Sequence, residues 1–536
     1  MHSAMPLRLM LVWGRSQGPP LHIIYTILII FLLWANSVSA SVSFVSSEID
    51  TGENRQGYWA EDMNGDDLKD ILIATWSESN GRELLIYTQE ASGKFTGAPW
   101  RRIEIKKDIV AFALADLRPA PGNELLFFTG SACYSLSCAK EGYANNLKKL
   151  FEWELIKSVP DKKKISFMGI LKDLNNDSFV DIILPGQEQY ALFKGQPNET
   201  FAEPAILPAA DIINNRSSRT QGSFSITPAG VTAGSPDVYS GLVDKRLDTG
   251  PVNRNLLPPI LKYESWIPGV STGLFNADEL EDFVYLDDVE SEKKNIKRLN
   301  LVYQPETGEL PSSPDWQGNI AVNDDIKIMD VNGDKLTDLV TAKMKGLNTT
   351  LYIFLNRGGK FSFDTPDHVM KLTGIISDFQ AIDFNRDSRP ELVINTYSAS
   401  PVKAVTSGSV ERRLLIFAGL KPAEGASLFD RKPAFTLEEN ISAANFKSLT
   451  GERSFSGDID GDGVNDVVSI DNNGALVVNR ITSDFKLEAE PVLSFTPIHY
   501  ISGTRLIRLN RDNRTDIIIE QEHGLSLIIS QEGAQQ

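Results

Sequence analysis

The sequence of this 536-residue chain predicts an all-β fold: a single closed β-propeller of seven or eight four-stranded blades, with eight favoured. Three observations lead there. An acidic nonapeptide recurs at nearly even spacing, every copy runs into an apolar β-forming segment, and the two chain ends supply complementary parts of one unit. Repeats of this length signal stacked or radial arrays rather than separate domains.

The nonapeptide reads Asp-x-Asn/Asp-x-Asp-x-x-x-Asp/Glu and occurs in five complete copies. Its oxygen-bearing positions are Asp62, Asn64, Asp66 and Asp70, then Asp173, Asn175, Asp177 and Asp181. They continue as Asp330, Asn332, Asp334 and Asp338, as Asp383, Asn385, Asp387 and Glu391, and as Asp458, Asp460, Asp462 and Asp466. Three weaker copies keep the frame and lose ligands. Asp116 and Glu124 bracket Arg118 and Ala120; Leu274 precedes Asn276, Asp278 and Asp282; Arg508 precedes Asn510, Asp512 and Asp516. The first positions, 62, 116, 173, 274, 330, 383, 458 and 508, are mostly 50 to 57 residues apart, and the gaps of 101 and 75 mark insertions.

Strand-like runs follow each loop, as in Ile71-Leu72-Ile73, Ile182-Ile183-Leu184, Val467-Val468 and Ile517-Ile518-Ile519. A second run comes next, as in Leu84-Leu85-Ile86-Tyr87 and Leu351-Tyr352-Ile353-Phe354. Gly-containing turns at Gly93-Lys94-Phe95 and Gly359-Lys360-Phe361 lead into a third. Four short strands per unit is the pattern of a propeller blade. The last unit ends after its second run near Ser530, and a lone strand-like stretch, Val42 to Val45, opens the body of the chain. That N-terminal strand is expected to complete the final blade and close the ring, removing exposed sheet edges. From residue 41 to 536 there are 496 residues, 62 for each of eight units. The Ser-, Pro-, Gly- and Asn-rich stretch at about 204–269 breaks the pattern and is expected to be an insertion.

The loops carry the chemistry. Positions 1, 3 and 5 of a tight turn point three side-chain oxygens inward, position 9 returns a carboxylate, and a backbone carbonyl near position 7 adds another. Six or seven hard oxygens on a flexible loop suit Ca²⁺ better than Mg²⁺. Gly65, Gly333 and Gly461 at position 4 permit a left-handed backbone. An EF-hand is rejected, because position 12 is Ile73, Thr341 and Ser469 where a bidentate Glu is required. Asp-Asn-Gly runs also form turns without metal, but five copies sharing four oxygen positions point to calcium.

These loops, with the tail Leu351 to Phe361, resemble the FG-GAP or VCBS repeat proteins known from integrin alpha-subunit propellers. The resemblance covers nearly all of residues 41–536. It implies Ca²⁺ at about five sites, the five complete copies, held on one face of the propeller. Asp116, Leu274 and Arg508 depart from the pattern; at Arg508 the guanidinium is expected beside Asp512 and Asp516 in place of an ion. Propellers of this kind present loops to protein or carbohydrate partners.

Composition sets the remaining limits. A formal net charge of −18 argues against nucleic acid. The uncharged run Ile23 to Ala35, followed by Val38-Ser39-Ala40, reads as a signal peptide over residues 1–40, leaving no stable membrane span and an exported product, periplasmic, cell-surface or extracellular. The two cysteines, Cys133 and Cys138, are expected to close a small disulfide loop in that compartment. His368, His499 and His523 lie in separate units with no motif around them, and no nucleophile elbow, metalloprotease motif or phosphate loop is visible. The reading is therefore a non-catalytic binding or adhesion scaffold, with the irregular segment and its Tyr239, Tyr263 and Trp266 as the candidate recognition surface. The alternative is a calcium-containing propeller enzyme, a polysaccharide lyase or hydrolase.

Overall fold

The computed structural model describes residues 42–532 apart from short internal stretches and longer ones at 215–244, 247–263, 399–408 and 443–455. The expected signal peptide, Tyr239 and Tyr263 lie outside the described residues, and so does the side chain of Trp266. The compact body runs from Phe44 to Gln531. Among the described residues there is no helix, hence none long and apolar enough to cross a membrane.

Eight four-stranded antiparallel sheets make eight blades. Blade I comprises Gly57–Glu61, Asp70–Ser77, Gly81–Tyr87 and Arg101–Ile105; blade II Ala111–Ala115, Glu124–Phe128, Ala132–Leu136 and Lys148–Glu152. Blade III holds Leu171–Lys172, Asp181–Gly186, Gln189–Phe193 and Ala205–Pro208; blade IV Val270–Gly273, Asp282–Asp288, Ile296–Val302 and Trp316–Ala321. Blade V holds Asp325–Met329, Asp338–Lys345, Asn348–Phe354 and His368–Thr373; blade VI Ile375–Ile382, Glu391–Ser398, Ser409–Phe417 and Phe435–Ser442. Blade VII holds Ser456–Gly457, Asp466–Ile470, Leu476–Ile481 and Leu487–Phe495. Blade VIII takes Ile501–Ile507, Asp516–Gln521 and Gly524–Glu532 from one end of the chain and Val42–Asp50 from the other. All three degenerate repeats build true blades, which settles the count at eight. Between blades III and IV, Ile212–Asn214, Lys245–Arg246 and Glu264–Trp266 pair in a separate three-stranded sheet.

The core lies between blades, because alternate residues of each strand face opposite neighbours. In blade I, Ile71 and Ile73 pack with Leu509, Ile518 and Leu527 of blade VIII, while Leu72 and Ala74 pack with Phe112, Leu125 and Phe127 around blade II. Blades II, III and IV share one cluster that includes Phe128, Ile183, Tyr190 and Phe283. Leu301 meets Leu339 between IV and V, Ile353 meets Ile394 between V and VI, Ile416 meets Val467 between VI and VII, and Val478 meets Ile519 between VII and VIII. The clusters therefore run around the whole ring. Each fully buried Ile or Leu in them contributes about 1.5–3 kcal/mol.

The packing overturns the expected disulfide. Cys133 lies in the third strand of blade II, whereas Cys138 lies past the end of that strand, and the two pack into different clusters. Cys133 sits in the cluster shared with blade III, Cys138 packs toward blade I, and both thiols are free.

Candidate metal centre

In every blade the nonapeptide is the turn between the first and second strands, and position 9 is the first residue of the second strand. That residue is buried in all eight: Asp70, Glu124, Asp181, Asp282, Asp338, Glu391, Asp466 and Asp516 are each 0–2% exposed. Its carboxylate reaches back to the backbone N–H of position 2. Met63 donates to Asp70 at 3.1 Å, Leu117 to Glu124 at 2.8 Å, Leu174 to Asp181 at 3.2 Å and Phe275 to Asp282 at 3.1 Å. Val331 donates to Asp338 at 3.0 Å, Phe384 to Glu391 at 2.8 Å, Ile459 to Asp466 at 2.9 Å and Leu509 to Asp516 at 2.7 Å. In five blades the other oxygen accepts from an amide near the end of the third strand, as Asp70 does from Gln89 at 2.9 Å and Asp338 from Asn356 at 2.7 Å. Position 9 is thus a staple that joins loop to sheet, a role the repeat pattern does not distinguish from that of a ligand. Burial pushes these carboxyls up against the lowering by amide donors: Asp181, Asp282 and Asp516 to about 6, Asp70, Glu124, Asp338 and Glu391 to about 7, and Asp466 to about 8.

Positions 1, 3 and 5 fold the turn around themselves. Asp62 accepts from the amides of Gly65 at 2.6 Å and Asp67 at 2.8 Å; Asn64 accepts from Asp66 N at 3.0 Å, and Asp66 from Leu68 N at 2.9 Å. The same net recurs at Asp330, Asn332 and Asp334, at Asp173, Asn175 and Asp177, and at Asp383, Asn385 and Asp387. Loop VII is the most acidic. The carboxylates of Asp458, Asp460 and Asp462 offer oxygens that all lie within 4.8 Å of one another. Asp458 Oδ1 is buried and has no hydrogen-bond partner, in a side chain only 6% exposed. A buried carboxylate oxygen left unpaired is costly, and a hard cation among these oxygens would satisfy it, so the residues present fit Ca²⁺. Arg386 Nη2 binds Asp458 Oδ2 at 2.7 Å and Arg480 Nε pairs with Asp460. With Asp466, loop VII sets four carboxyl groups against two guanidinium groups, leaving −2 when all are ionised.

Loop II carries a cation of its own at a ligand position. Arg118, at position 3, pairs with Glu199 and lies 3.8 Å from the fully buried Glu124, while Lys148 holds the other Glu199 oxygen at 2.7 Å. The analogous expectation for loop VIII is corrected. Arg508 is exposed, and among the described residues no ion pair joins it to Asp512 or Asp516; Arg514 approaches Asp512 instead, at 3.9 Å. An arginine one residue before the buried Leu509 faces outward on the alternating strand end, whereas position 7 lies over the loop.

The loops are also linked to one another along one face, by six hydrogen bonds among the described residues. The N–H of position 8 donates to a position 1 or 2 carbonyl of the preceding loop: Asn123 to Asp62 O at 2.9 Å, Glu281 to Leu174 O at 3.1 Å, Thr337 to Leu274 O at 2.7 Å. Asn465 donates to Phe384 O at 3.1 Å, Thr515 to Asp458 O at 2.7 Å, and Lys69 to Leu509 O at 2.8 Å, joining the two ends of the chain. Loop VI has Pro390 at this position, which has no N–H to give, and Gly333 of loop V packs against its ring instead. Position 4 is a second contact. Gly65 lies so close to Pro121 that a Cβ would fall 1.9 Å from the proline Cβ; Asn176 donates to Glu279 O at 2.8 Å; Arg386 and Arg511 reach Asp458 and Asp67 of the following loops. The Gly, Asn or Arg at position 4 is the sequence signal for these contacts, readable only once the ring order is known.

An all-β ring of eight blades with an acidic loop opening each second strand defines the class: an eight-bladed β-propeller built from acidic-loop repeats. The FG-GAP-like repeat family matches residues 330–394, from loop V into the second strand of blade VI, and the structure around that match is an eight-bladed β-propeller. No curated protein sequence matches it. A solved structure reported for specific recognition of non-reducing terminal N-acetylglucosamine by an Agrocybe aegerita lectin is similar at 10% identity, covering 89% of this chain and 99% of that one, with a TM-score of 0.34. A likeness that distant has no bearing on ligand choice.

Proposed function

We propose that the protein is an exported, calcium-loaded β-propeller that acts as a non-catalytic binding or adhesion scaffold for a protein or carbohydrate partner. Loop VII supports this reading most strongly: three convergent carboxylates, one with a buried and unpartnered oxygen, in a turn that four other loops repeat with the same oxygen positions. Calcium in such loops fixes the ring of turns and so the face they build. The five ions would add +10 to a chain of −18. Melting the protein in calcium and in EDTA tests the reading. Calcium raises the midpoint by mass action on the folded state; a midpoint that ignores both additions defeats the proposal.

A further inference from the structure

A cleft of about 560 Å³ opens between blades II and III, lined by Tyr134, Lys149, Glu152, Trp153, Glu154 and Gln189 among others. Its place follows from topology. Ser131 and Ala132 at the 2–3 hairpin of blade II and Gln189, the first residue of the third strand of blade III, edge it. These residues lie at the opposite end of the second strands from the acidic loops, so the cleft is on the other face of the propeller.

Its walls are held in place. Trp153 N donates to Ser131 O at 3.0 Å and Leu155 N to Gly130 O at 3.1 Å, pinning the segment after the outer strand to the blade II hairpin. The indole Nε1 crosses to blade III and donates to Pro185 O at 3.1 Å. Gly186 leaves room for the ring: a Cβ there would meet Trp153 Cζ2 at 2.4 Å. Phe193 holds the indole edge-on at 5.8 Å between centroids. The aromatic wall is therefore set before any ligand arrives, which lowers the ordering cost of binding.

We propose that this cleft is a binding site for a neutral saccharide. The volume falls within the range of small-ligand sites and is too confined for a protein interface, which buries about 800 Å² on each partner. Two aromatic rings offer apolar faces to the C–H side of a sugar, while Gln189 and Glu154 offer an amide and a carboxylate to its hydroxyls. Charge narrows the class. Lys149 is paired with Glu152, and among the described residues Glu154 has no ion pair, so the lining carries a net −1. A uronic acid, sulfate or phosphate group meets repulsion there; a neutral hexose or pentose unit does not. The proposal rests on the scaffold reading above and gives it a site and a ligand class.

Isothermal titration of the signal-cleaved chain in calcium, with neutral cello-, manno- and xylo-oligosaccharides and with oligogalacturonate, tests it. We expect at least one neutral series to bind with a Kd below about 1 mM and oligogalacturonate to bind at least roughly tenfold more weakly. Trp153→Ala and Glu154→Gln should each weaken the neutral ligand about tenfold or more. Glu154→Gln changes an exposed side chain, so it remains informative if the tryptophan variant does not fold. Absence of binding by every neutral series overturns the proposal, as does binding that both variants leave intact or that favours oligogalacturonate. The calcium-dependent melting shift, read on the same samples, shows whether the scaffold reading survives such a result.

Discussion

Replacing Asp338 by Ala separates the staple role of position 9 from any role in metal binding. Asp338 is fully buried; its two oxygens accept the backbone N–H groups of Val331 at 3.0 Å and Asn356 at 2.7 Å. Asn356 is itself committed, donating to Phe275 O of loop IV at 2.8 Å and accepting from Gly359 N at 2.7 Å. Alanine leaves two buried amides without acceptors in a segment that cannot turn to water. At about 1–3 kcal/mol for each orphaned group, the loss is about 2–6 kcal/mol. Release of a buried carboxyl, pushed up to about 7 by desolvation, offsets part of this and places the expectation in the lower half of the range. The assay is urea unfolding at pH 8 in EDTA, beside Asp334→Ala, whose side chain is exposed in the same loop. Asp338→Ala should lose its full increment without calcium, and Asp334→Ala should lose little until calcium is added. An Asp338→Ala protein within about 1 kcal/mol of wild type in EDTA refutes the staple.

Three further outcomes follow from the same geometry. The position-9 carboxyls titrate from about 6 to about 8 when folded against 3.8 for Asp and 4.5 for Glu unperturbed, so the folded state holds more protons between these limits; stability of the calcium-free protein is full below the unfolded values and falls as pH rises through 6 to 8. Melting in EDTA from pH 5 to pH 8 should show a declining midpoint, and a rising one contradicts the assignment. Arg118→Ala strips the cation from Glu124 and one of two from Glu199; allowing for the 26% exposure of Arg118, the cost is about 1–3 kcal/mol and does not depend on calcium, as denaturation with and without EDTA will show. Gly65→Ala meets both a φ of +79° and Pro121, so it should cost more than about 2 kcal/mol, whereas Gly358→Ala, at φ +66° in open space, should cost about 1–2; equal losses in denaturation remove the inter-loop contact from the account.

Much of the fold was legible in the sequence because the repeat is periodic. Loop position, strand order within a blade and the stray strand at Val42 all express the same spacing. The count stayed at seven or eight because Leu274, Arg508 and the Arg118 loop looked like decayed units; the structure shows that the frame is kept by position 9, present in all eight, and not by positions 1 to 5. What the sequence hid are contacts between residues far apart in the chain. Arg386 on Asp458, Lys69 on Leu509 and Pro121 against Gly65 depend on which loop follows which around the ring. The cleft beside Trp153 was missed for the same reason, since its lining comes from two blades and matches no linear pattern. The free thiols show the converse error: closeness in sequence was read as closeness in space, although the two cysteines pack into different clusters on either side of blade II.

Equilibrium dialysis with radiocalcium tests the central claim most directly. The account predicts five ions per chain, falling to four when Asp330 and Asp334 are both replaced by Ala. A chain that binds no calcium, or a count that this double replacement leaves unchanged, contradicts it.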